Sequence, residues 1–272
     1  MATKTETGTE RSDRETLLVE RRDGLVQVTM NRPHRKNALD TTMIRELRDV
    51  FLEIEDRPDD RAMVLTGAEG EFCSGADLGD SSPATDSSQP AIVRMRRLGD
   101  LAVALHRITK PTIAKVDGVA VGAGASLVVG CDLVVASERA RISFIFAKRG
   151  LSLDNGSSWL LPRLIGSARA KELAFFADIL NAEQAKEMGL VNRVVPVDEL
   201  DALVDEWAAR LATGPTQALS LTKKLLDDSW SSSLAQATEA EAQSQCVNFA
   251  SEDTAEALAA FKERREPRFT GR

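Results

Sequence analysis

Val121-Gly122-Ala123-Gly124-Ala125-Ser126 and Cys73-Ser74-Gly75-Ala76-Asp77-Leu78 are two segments built mostly from small residues. Each follows an apolar run, at 111–116 and 62–65 respectively, that predicts a β-strand. Small side chains leave backbone N–H groups uncovered, so one ligand oxygen could approach a donor from each segment. Two such donors form an oxyanion hole, which stabilises a carbonyl as it becomes an enolate.

Strands and helices alternate around these two segments. A hairpin is predicted at 17–21 and 25–30, helices at 37–54 and 92–108, and further strands at 131–136 and 141–146. From about residue 167 the pattern is nearly all helical. This organisation predicts an α/β core over residues 15–205 and a helical region over 206–272. We expect a disordered tail over 1–14, and the Ser-, Asp- and Pro-rich stretch 79–90 predicts a surface loop acting as a lid or entrance.

Composition restricts the class of protein. The 272 residues carry a formal net charge of −7, which argues against a nucleic-acid partner. No run of about 18 apolar residues predicts a membrane span, and the polar residues 1–14 do not resemble a signal peptide. The three cysteines have no metal-ligand spacing, and only two histidines are present, so we expect no metal. A cytoplasmic location is predicted.

A dinucleotide-binding loop is an alternative interpretation of Gly122-Ala123-Gly124. The third glycine of that fingerprint would fall at Leu127, and no acidic residue follows at the expected distance, so we set this alternative aside. Taken singly, each small-residue segment is also what a tight strand-to-helix turn requires. Their order and spacing together favour the oxyanion hole.

Six motifs distributed along the chain point to one family. They are residues 31–39 (Asn-Arg-Pro-His-Arg-Lys-Asn-Ala-Leu), 72–78, 110–124, 131–132 (Cys-Asp), 185–191 (Ala-Lys-Glu-Met-Gly-Leu-Val) and 261–265. Together they resemble the crotonase (enoyl-CoA hydratase/isomerase) superfamily, with similarity from about residue 17 to 269. The resemblance implies a spiral of ββα units with a C-terminal helical region that forms trimers, as a homotrimer or a dimer of trimers. It also implies an acyl-CoA thioester as substrate, a role in fatty-acid or other lipid metabolism, and no separate cofactor, because coenzyme A is part of the substrate.

Position by position, the resemblance assigns the two oxyanion donors to the backbone amides of Ala76 and Ala123. It also shows a departure from the hydratases, which carry two glutamates at the positions of Ser126 and Phe146. Adding water to a double bond requires groups that deprotonate the water and protonate carbon, and neither serine nor phenylalanine does this near neutral pH. The standard hydratase mechanism is therefore not supported.

Asp154 is the remaining candidate for acid–base chemistry. Its segment, 153–164, resembles the P-D-G-G-S-x-W-L-L-P-R segment of isomerase-type members, in which an aspartate is the single acid/base. An aspartate before Asn-Gly-Ser-Ser is also typical of a helix N-cap, and both interpretations stay open at this point. The resemblance implies that Asp154 takes a proton from carbon 2 of a 3-enoyl-CoA and returns it at carbon 4.

The candidate substrate-binding residues are distributed over the whole chain. They are Arg35, Lys36, Ser74, Asp77, Leu78, Gly122, Ser126, Phe146, Trp159 and Arg264. Arg35, Lys36 and Arg264 are candidates for the phosphates of coenzyme A, with Arg264 supplied by a neighbouring subunit, although solvated surface charges would show the same pattern. Phe146 and Trp159 are candidates for an apolar wall that raises the pKa of Asp154.

Three other functions remain as alternatives. The carboxylate of Asp154 could attack an acyl-CoA as a nucleophile, as in a hydrolase or dehalogenase. The chain could be a hydratase-like lyase despite lacking the glutamate pair. It could also be a CoA-binding scaffold without catalysis.

Overall fold

The computed structural model describes residues 3–4, 9–79 and 90–272. Residues 80–89 of the predicted entrance loop, and residues 1–2 and 5–8 of the predicted tail, lie outside the described residues. None of the helices in the described ranges combines the length and the apolar character that crossing a bilayer requires.

The described strands fall into two sheets. They are β1 (Thr3–Lys4), β2 (Glu10–Asp13), β3 (Leu17–Arg22), β4 (Leu25–Met30), β5 (Ala62–Gly67), β6 (Thr112–Val116), β7 (Val119–Val121), β8 (Leu133–Ser137), β9 (Arg141–Ser143), β10 (Leu180–Asn181) and β11 (Arg193–Val195). The larger sheet has the order β1-β2-β3-β4-β5-β6-β8-β11, antiparallel up to β4 and parallel from β4 onward. The smaller sheet has the order β10-β9-β7.

Ten α-helices accompany these strands in the described ranges. They are α1 (Thr41–Asp56), α2 (Ala91–Arg107), α3 (Ala123–Gly130), α4 (Ser157–Ile165), α5 (Ser167–Phe176), α6 (Ala182–Met188), α7 (Leu200–Ala212), α8 (Thr216–Asp228), α9 (Leu234–Phe249) and α10 (Glu252–Glu263). The predicted α/β class is confirmed, as are the hairpin at 17–30 and the helices near 37–54 and 92–108.

Local sequence explains the first elements. Asp23 and Gly24 adopt φ values of 51° and 81°, the conformation of a tight two-residue turn, and join β3 to β4. Asp40 caps α1, because its carboxylate accepts a hydrogen bond from the Met43 N–H at 2.8 Å. The apolar stripe of α1, which includes Leu47 and Phe51, is fully buried in the main hydrophobic core.

The parallel strands are buried on both faces. One face contributes residues such as Met63 and Leu65 to the main core. The other face carries Val64, Ile113 and Val135, which form a second cluster. Residues of α7 cover this second face, which explains why β5 reads as a continuous apolar run rather than an alternating one.

The structure corrects three predictions of secondary structure. The predicted disorder of residues 1–14 is wrong for Glu10–Asp13, which form β2 and pair with β3. The strand over 141–146 ends at Ser143, and a 3-10 helix, Ile145–Arg149, follows it. The region after 167 contains β10 and β11 as well as helices, and β11 pairs with β8 in the larger sheet. Such short strands acquire their stability from partners distant in sequence, which local periodicity cannot show.

The predicted boundary between the α/β core and the helical region, at 205/206, also needs correction. It falls inside α7, where Val204 and Ala208 on either side of it are both buried against the sheet. The sheet layer therefore includes α7 up to Ala212, and the more exposed helices α8, α9 and α10 follow it.

Gly124 provides a test of how closely the two small-residue segments pack. A Cβ at Gly124 would lie 2.3 Å from the Cys73 carbonyl oxygen and 2.8 Å from the Cys73 Cβ. We predict that Gly124→Ala lowers the free energy of unfolding by about 1–3 kcal/mol, measured by urea denaturation. Gly99→Ala in α2 is the control, because no described heavy atom lies within 4 Å of its Cβ position, and it should be neutral or stabilising. Equal stability of the two variants would contradict the close packing.

Candidate active site

The first of the two predicted oxyanion donors, the Ala123 N–H, lies at the start of α3. Gly122 is the N-cap residue, with φ 56°, and Ala123 is the first residue of the helix. Amides at the first positions of a helix have no intrahelical acceptor, and the helix dipole adds partial positive charge there. The Ala123 N–H is therefore oriented to serve an external acceptor, as predicted for an oxyanion donor.

The second donor segment packs directly against the first. A Cβ on Gly75 would lie 2.8 Å from the Val121 carbonyl oxygen and 3.8 Å from the Ala123 nitrogen. The segment is held there by two hydrogen bonds with β7, from Cys73 N–H to Val119 O at 2.8 Å and from Val121 N–H to Cys73 O at 2.9 Å. With φ 98° and no room for a side chain, position 75 requires glycine.

The Ala76 N–H takes no part in the short parallel β-bridge that pairs Ala76 with Leu39. Leu39 donates its N–H to Gly75 O and accepts the Asp77 N–H, each at 2.8 Å. In a parallel bridge of this kind, the N–H of the central residue, Ala76, points away from the partner. Ala76 is exposed, and among the backbone hydrogen bonds of the described ranges its N–H donates to none. Both predicted oxyanion donors are thus available, on segments that touch.

Asp154 is not a helix cap. The N-cap of α4 is Gly156, at φ 80°, and no side chain caps this helix. The main-chain oxygen of Asp154 accepts bonds from Ser157, at 3.1 Å from N–H and 2.7 Å from the hydroxyl. The carboxyl Oδ1, by contrast, is buried and has no hydrogen-bond partner within the described ranges. Burial raises the pKa of Asp154 to about 6.

The loop that carries Asp154 rests on the first turn of α3. The Ser126 hydroxyl lies 3.3 Å from the Asp154 main-chain oxygen, and the Asn155 amide donates to the Ala123 carbonyl at 3.4 Å. The structure therefore holds the Asp154 main chain against the first turn of α3, the helix that begins with Ala123. Ser126 and Phe146 occupy the positions of the hydratase glutamates, so neither contributes a carboxylate.

The place of Phe146 in the substrate pocket stays a prediction. The residue is only 6% exposed and packs in the main hydrophobic core. Its neighbour Ile145 is partly exposed, and its side chain would be the nearest contact, at 3.8 Å, of a Cβ on Gly122. Ile145, which the sequence analysis missed, is therefore better placed beside the donor loop.

Two of the predicted phosphate contacts, Arg35 and Lys36, border the second donor segment, which carries Ala76. Ser74 donates its N–H to Lys36 O at 3.0 Å and its hydroxyl to Arg35 O at 3.2 Å. Lys36 forms an ion pair with Glu71 at 2.9 Å, and its side chain is 60% exposed. The Arg35 and Lys36 cations therefore stand at the solvent side of the segment that carries Ala76.

Asp77 has a structural partner that the sequence analysis missed. Arg32 binds the Asp77 carboxylate at 2.9 Å, Asp40 at 3.3 Å and the Ala38 carbonyl. Burial alone would raise the pKa of Asp77, but the hydrogen bonds from Gly79 N–H and Arg32 lower it below its usual value. Asp77 therefore anchors the segment to the 31–39 turn, and the following Leu78 is 61% exposed.

The contacts of Trp159 and Arg264 lie elsewhere in the described chain. Trp159 contacts the His106 ring edge-on at 5.1 Å and lies under the Arg163 guanidinium at 3.9 Å. It lines a groove of about 380 Å³ near the C-terminal end of α3 with residues of α8, and its role as a pocket wall beside Asp154 stays a prediction. Arg264 ends α10, and no contact within the described chain joins it to the donor segments.

The comparisons with known proteins agree on one family. The sequence profile of the enoyl-CoA hydratase/isomerase family matches residues 20–272. A 1,2-epoxyphenylacetyl-CoA isomerase of Escherichia coli is 37% identical over 254 residues, 92% of this chain and 96% of that protein. A 4-chlorobenzoyl coenzyme A dehalogenase of Arthrobacter is 33% identical over 246 residues, 90% of this chain and 89% of the relative.

A solved structure shows the same fold. The enoyl-CoA hydratase/isomerase of Cupriavidus metallidurans superposes with a TM-score of 0.88 at 34% identity, covering 96% of this chain and 98% of that one. The profile and the relatives extend over nearly the whole chain, including both donor segments and Asp154. The chain therefore belongs to the enoyl-CoA hydratase/isomerase family and is an acyl-CoA enzyme of the crotonase superfamily.

Proposed function

We propose that the protein shifts a double bond in an enoyl-CoA, with Asp154 as its single acid/base. The observation that carries the proposal is the buried Asp154 Oδ1, which has no hydrogen-bond partner in the described part of the chain. Its loop rests on the first turn of the helix that presents the Ala123 N–H. A buried carboxylate without a hydrogen-bond donor is unfavourable unless a ligand or a proton occupies the site. A carbon acid supplies such a proton.

The first step is removal of a proton from carbon 2 of a 3-enoyl-CoA. The thioester oxygen accepts hydrogen bonds from the Ala76 and Ala123 amides, which withdraw electrons and acidify the proton at carbon 2. Asp154 takes that proton, and the electron pair moves through the conjugated system to the thioester oxygen. The resulting dienolate is stabilised most where its negative charge meets the two donors.

The second step returns the same proton at carbon 4. The enolate oxygen reforms the carbonyl, the double bond moves to carbons 2 and 3, and the electron pair at carbon 4 takes the proton from Asp154. The carboxylate is regenerated, and the product is the conjugated 2-enoyl-CoA. No water, metal or electron carrier enters the balance of this reaction.

The pKa of Asp154 suits both steps. A carboxylate with an ordinary pKa near 4 is a weak base, whereas burial brings that of Asp154 to about 6. Near neutral pH the group is mostly ionised and ready to accept a proton, yet once protonated it can still release the proton to carbon. Burial of this carboxyl causes the rise, and within the described residues Oδ1 has no hydrogen-bond donor that would oppose it.

A hydratase reaction is less well supported. Ser126 is 1% exposed and Phe146 is packed in the core, so neither provides a second acid/base for activating water. The pair of glutamates on which the standard hydratase mechanism depends is absent here.

The coenzyme A moiety would extend toward Arg35 and Lys36. Both cations stand at the solvent side of the Ala76 segment, and phosphate oxygens are favourable ligands for them. Lys36 would exchange its ion pair with Glu71 for a phosphate at little net cost, since exposed ion pairs contribute at most about 1 kcal/mol.

A homotrimer or dimer of trimers would cover the helices that follow α7. Large apolar side chains there face solvent in the single chain, with Leu234, Phe249 and Phe261 at least 74% exposed. Exposed apolar groups of this kind typically mark an interface between proteins. Arg264 follows Phe261 by one helical turn, and it could reach the substrate of a neighbouring subunit only in such an assembly.

Asp154→Asn tests the acid/base role. We predict that wild type converts a 3-enoyl-CoA to the 2-enoyl product, and that Asp154→Asn loses about 10²–10⁴-fold in kcat with CoA binding retained. Because the base must be ionised, wild-type kcat/KM should rise with pH around a midpoint near 6. The assay follows absorbance of the conjugated thioester, with 2-enoyl and ring-containing CoA thioesters in parallel. Equal rates for both proteins, rapid hydration of the 2-enoyl-CoA or a covalent acyl adduct on Asp154 would contradict the proposal.

Ala123→Pro tests the oxyanion donor. Proline is well tolerated at the first position of a helix, where it removes the N–H and places its ring in the space that the thioester oxygen would occupy. We expect kcat/KM to fall about 10²–10³-fold, with far-UV circular dichroism and Tm close to wild type. Glu252→Pro is the matched control, because Glu252 is the exposed first residue of α10. Activity of Ala123→Pro equal to that of the control would exclude this amide as a donor.

Light scattering tests the assembly. We predict a particle of three or six times the 29.5 kDa chain mass for wild type. Placing a charge in the apolar surface with Phe249→Glu or Phe261→Glu should reduce that mass, whereas Leu52→Glu on the exposed face of α1 should not. A monomeric wild type at micromolar concentration is the outcome that contradicts the prediction.

A further inference from the structure

We propose that Ser126 is a positioning residue, whose buried hydroxyl fixes the Asp154 main chain against the peptide group that carries the Ala123 N–H. The inference rests on the proposed function, because such positioning matters only if Asp154 and the Ala123 amide act on one substrate. Ser126 itself does not touch the reacting atoms in this account.

The Ser126 hydroxyl lies between two carbonyl groups. Its Oγ is 3.2 Å from Gly122 O and 3.3 Å from Asp154 O, two residues on different loops. A hydroxyl has one proton, so it is shared between these acceptors or alternates between them. Ser126 is 1% exposed, and at this depth water does not readily replace the bond.

One of these carbonyls belongs to the oxyanion donor itself. Gly122 O and Ala123 N–H are part of a single peptide group, which is planar and trans. A hydrogen bond that fixes the carbonyl therefore also fixes the direction of the N–H. The Ser126 N–H reaches the same carbonyl at 3.0 Å, and hydrogen bonds to a carbonyl polarise the peptide and strengthen its N–H as a donor.

The other carbonyl belongs to the acid/base residue. Asp154 O also accepts the Ser157 hydroxyl at 2.7 Å, and the next residue, Asn155, donates to Ala123 O at 3.4 Å. Ser157 anchors the loop to its own helix, whereas Ser126 and Asn155 anchor it to α3. Ser126 bridges the two, because its hydroxyl lies within hydrogen-bond distance of both the donor peptide and Asp154.

Loss of the hydroxyl should loosen this contact. Alanine at position 126 leaves Asp154 O with one hydrogen bond fewer and a small gap between the loop and α3. The carboxylate would then sample positions farther from the substrate carbons, and water would gain access to it. Better solvation favours the ionised form, so the pKa of Asp154 would move from about 6 toward its ordinary value near 4.

The experiment compares Ser126→Ala, Ser126→Thr and Ser137→Ala with wild type on a 3-enoyl-CoA. Ser137 is the matched control, a fully buried serine at the end of β8 that donates to Asp117 at 2.5 Å. For Ser126→Ala we expect kcat to fall about tenfold, KM to change less than twofold, and the acid limb of the pH profile to move to lower pH. Ser126→Thr, which keeps the hydroxyl, should recover most of kcat, and Ser137→Ala should affect stability alone.

A second measurement does not depend on turnover. Carbon-13 NMR of the aspartate carboxyls, assigned through Asp154→Asn, gives the pKa of Asp154 in each variant. A lower pKa in Ser126→Ala and an unchanged one in Ser137→Ala support the proposal. An unchanged pKa and an unchanged kcat in Ser126→Ala overturn the positioning role while leaving the isomerase proposal intact. A wild type without isomerase activity overturns the proposed function instead, together with the inference built on it.

Discussion

The close approach of two backbone segments is the constraint on which the site depends. The Gly75 Cα region lies against Val121 and Ala123 without an intervening side chain, and Gly124 lies against Cys73 in the same way. Two amides can reach one oxygen only if their main chains come this near. The glycines are therefore required by packing, and the β-bridges of residues 73 and 76 hold the arrangement in register.

The loop that carries Asp154 packs against the helix that begins at this contact. The loop before α4 crosses the first turn of α3 and is held there by Ser126 and Asn155. Among the residues that the structure describes, Asp154 Oδ1 has no hydrogen-bond partner, and burial raises the pKa of that carboxyl. A native structure that leaves a buried acid unsatisfied gives up stability, and such a departure is typical of functional sites.

The sequence predicted the features that local patterns determine. The hairpin, the stripe of α1 and both donor segments follow from alternation, helical spacing and runs of small residues. The assignment of Ala76, Ala123 and Asp154 came from family resemblance, and the structure adds their mutual geometry. The placement of Trp159 could not be predicted, because helical spacing shows that a residue lies on a face but not which neighbour covers it. The pairing of Arg32 with Asp77 could not be predicted either, because the two residues lie 45 positions apart in the chain.

A crystal structure of Asp154→Asn with a bound 3-enoyl-CoA would show both sets of contacts in one experiment. We predict the thioester oxygen within hydrogen-bond distance of the Ala76 and Ala123 nitrogens, and the residue 154 side chain about 3–3.5 Å from both carbon 2 and carbon 4. A thioester oxygen bound elsewhere, or a side chain at 154 that faces away from the acyl carbons, would contradict it.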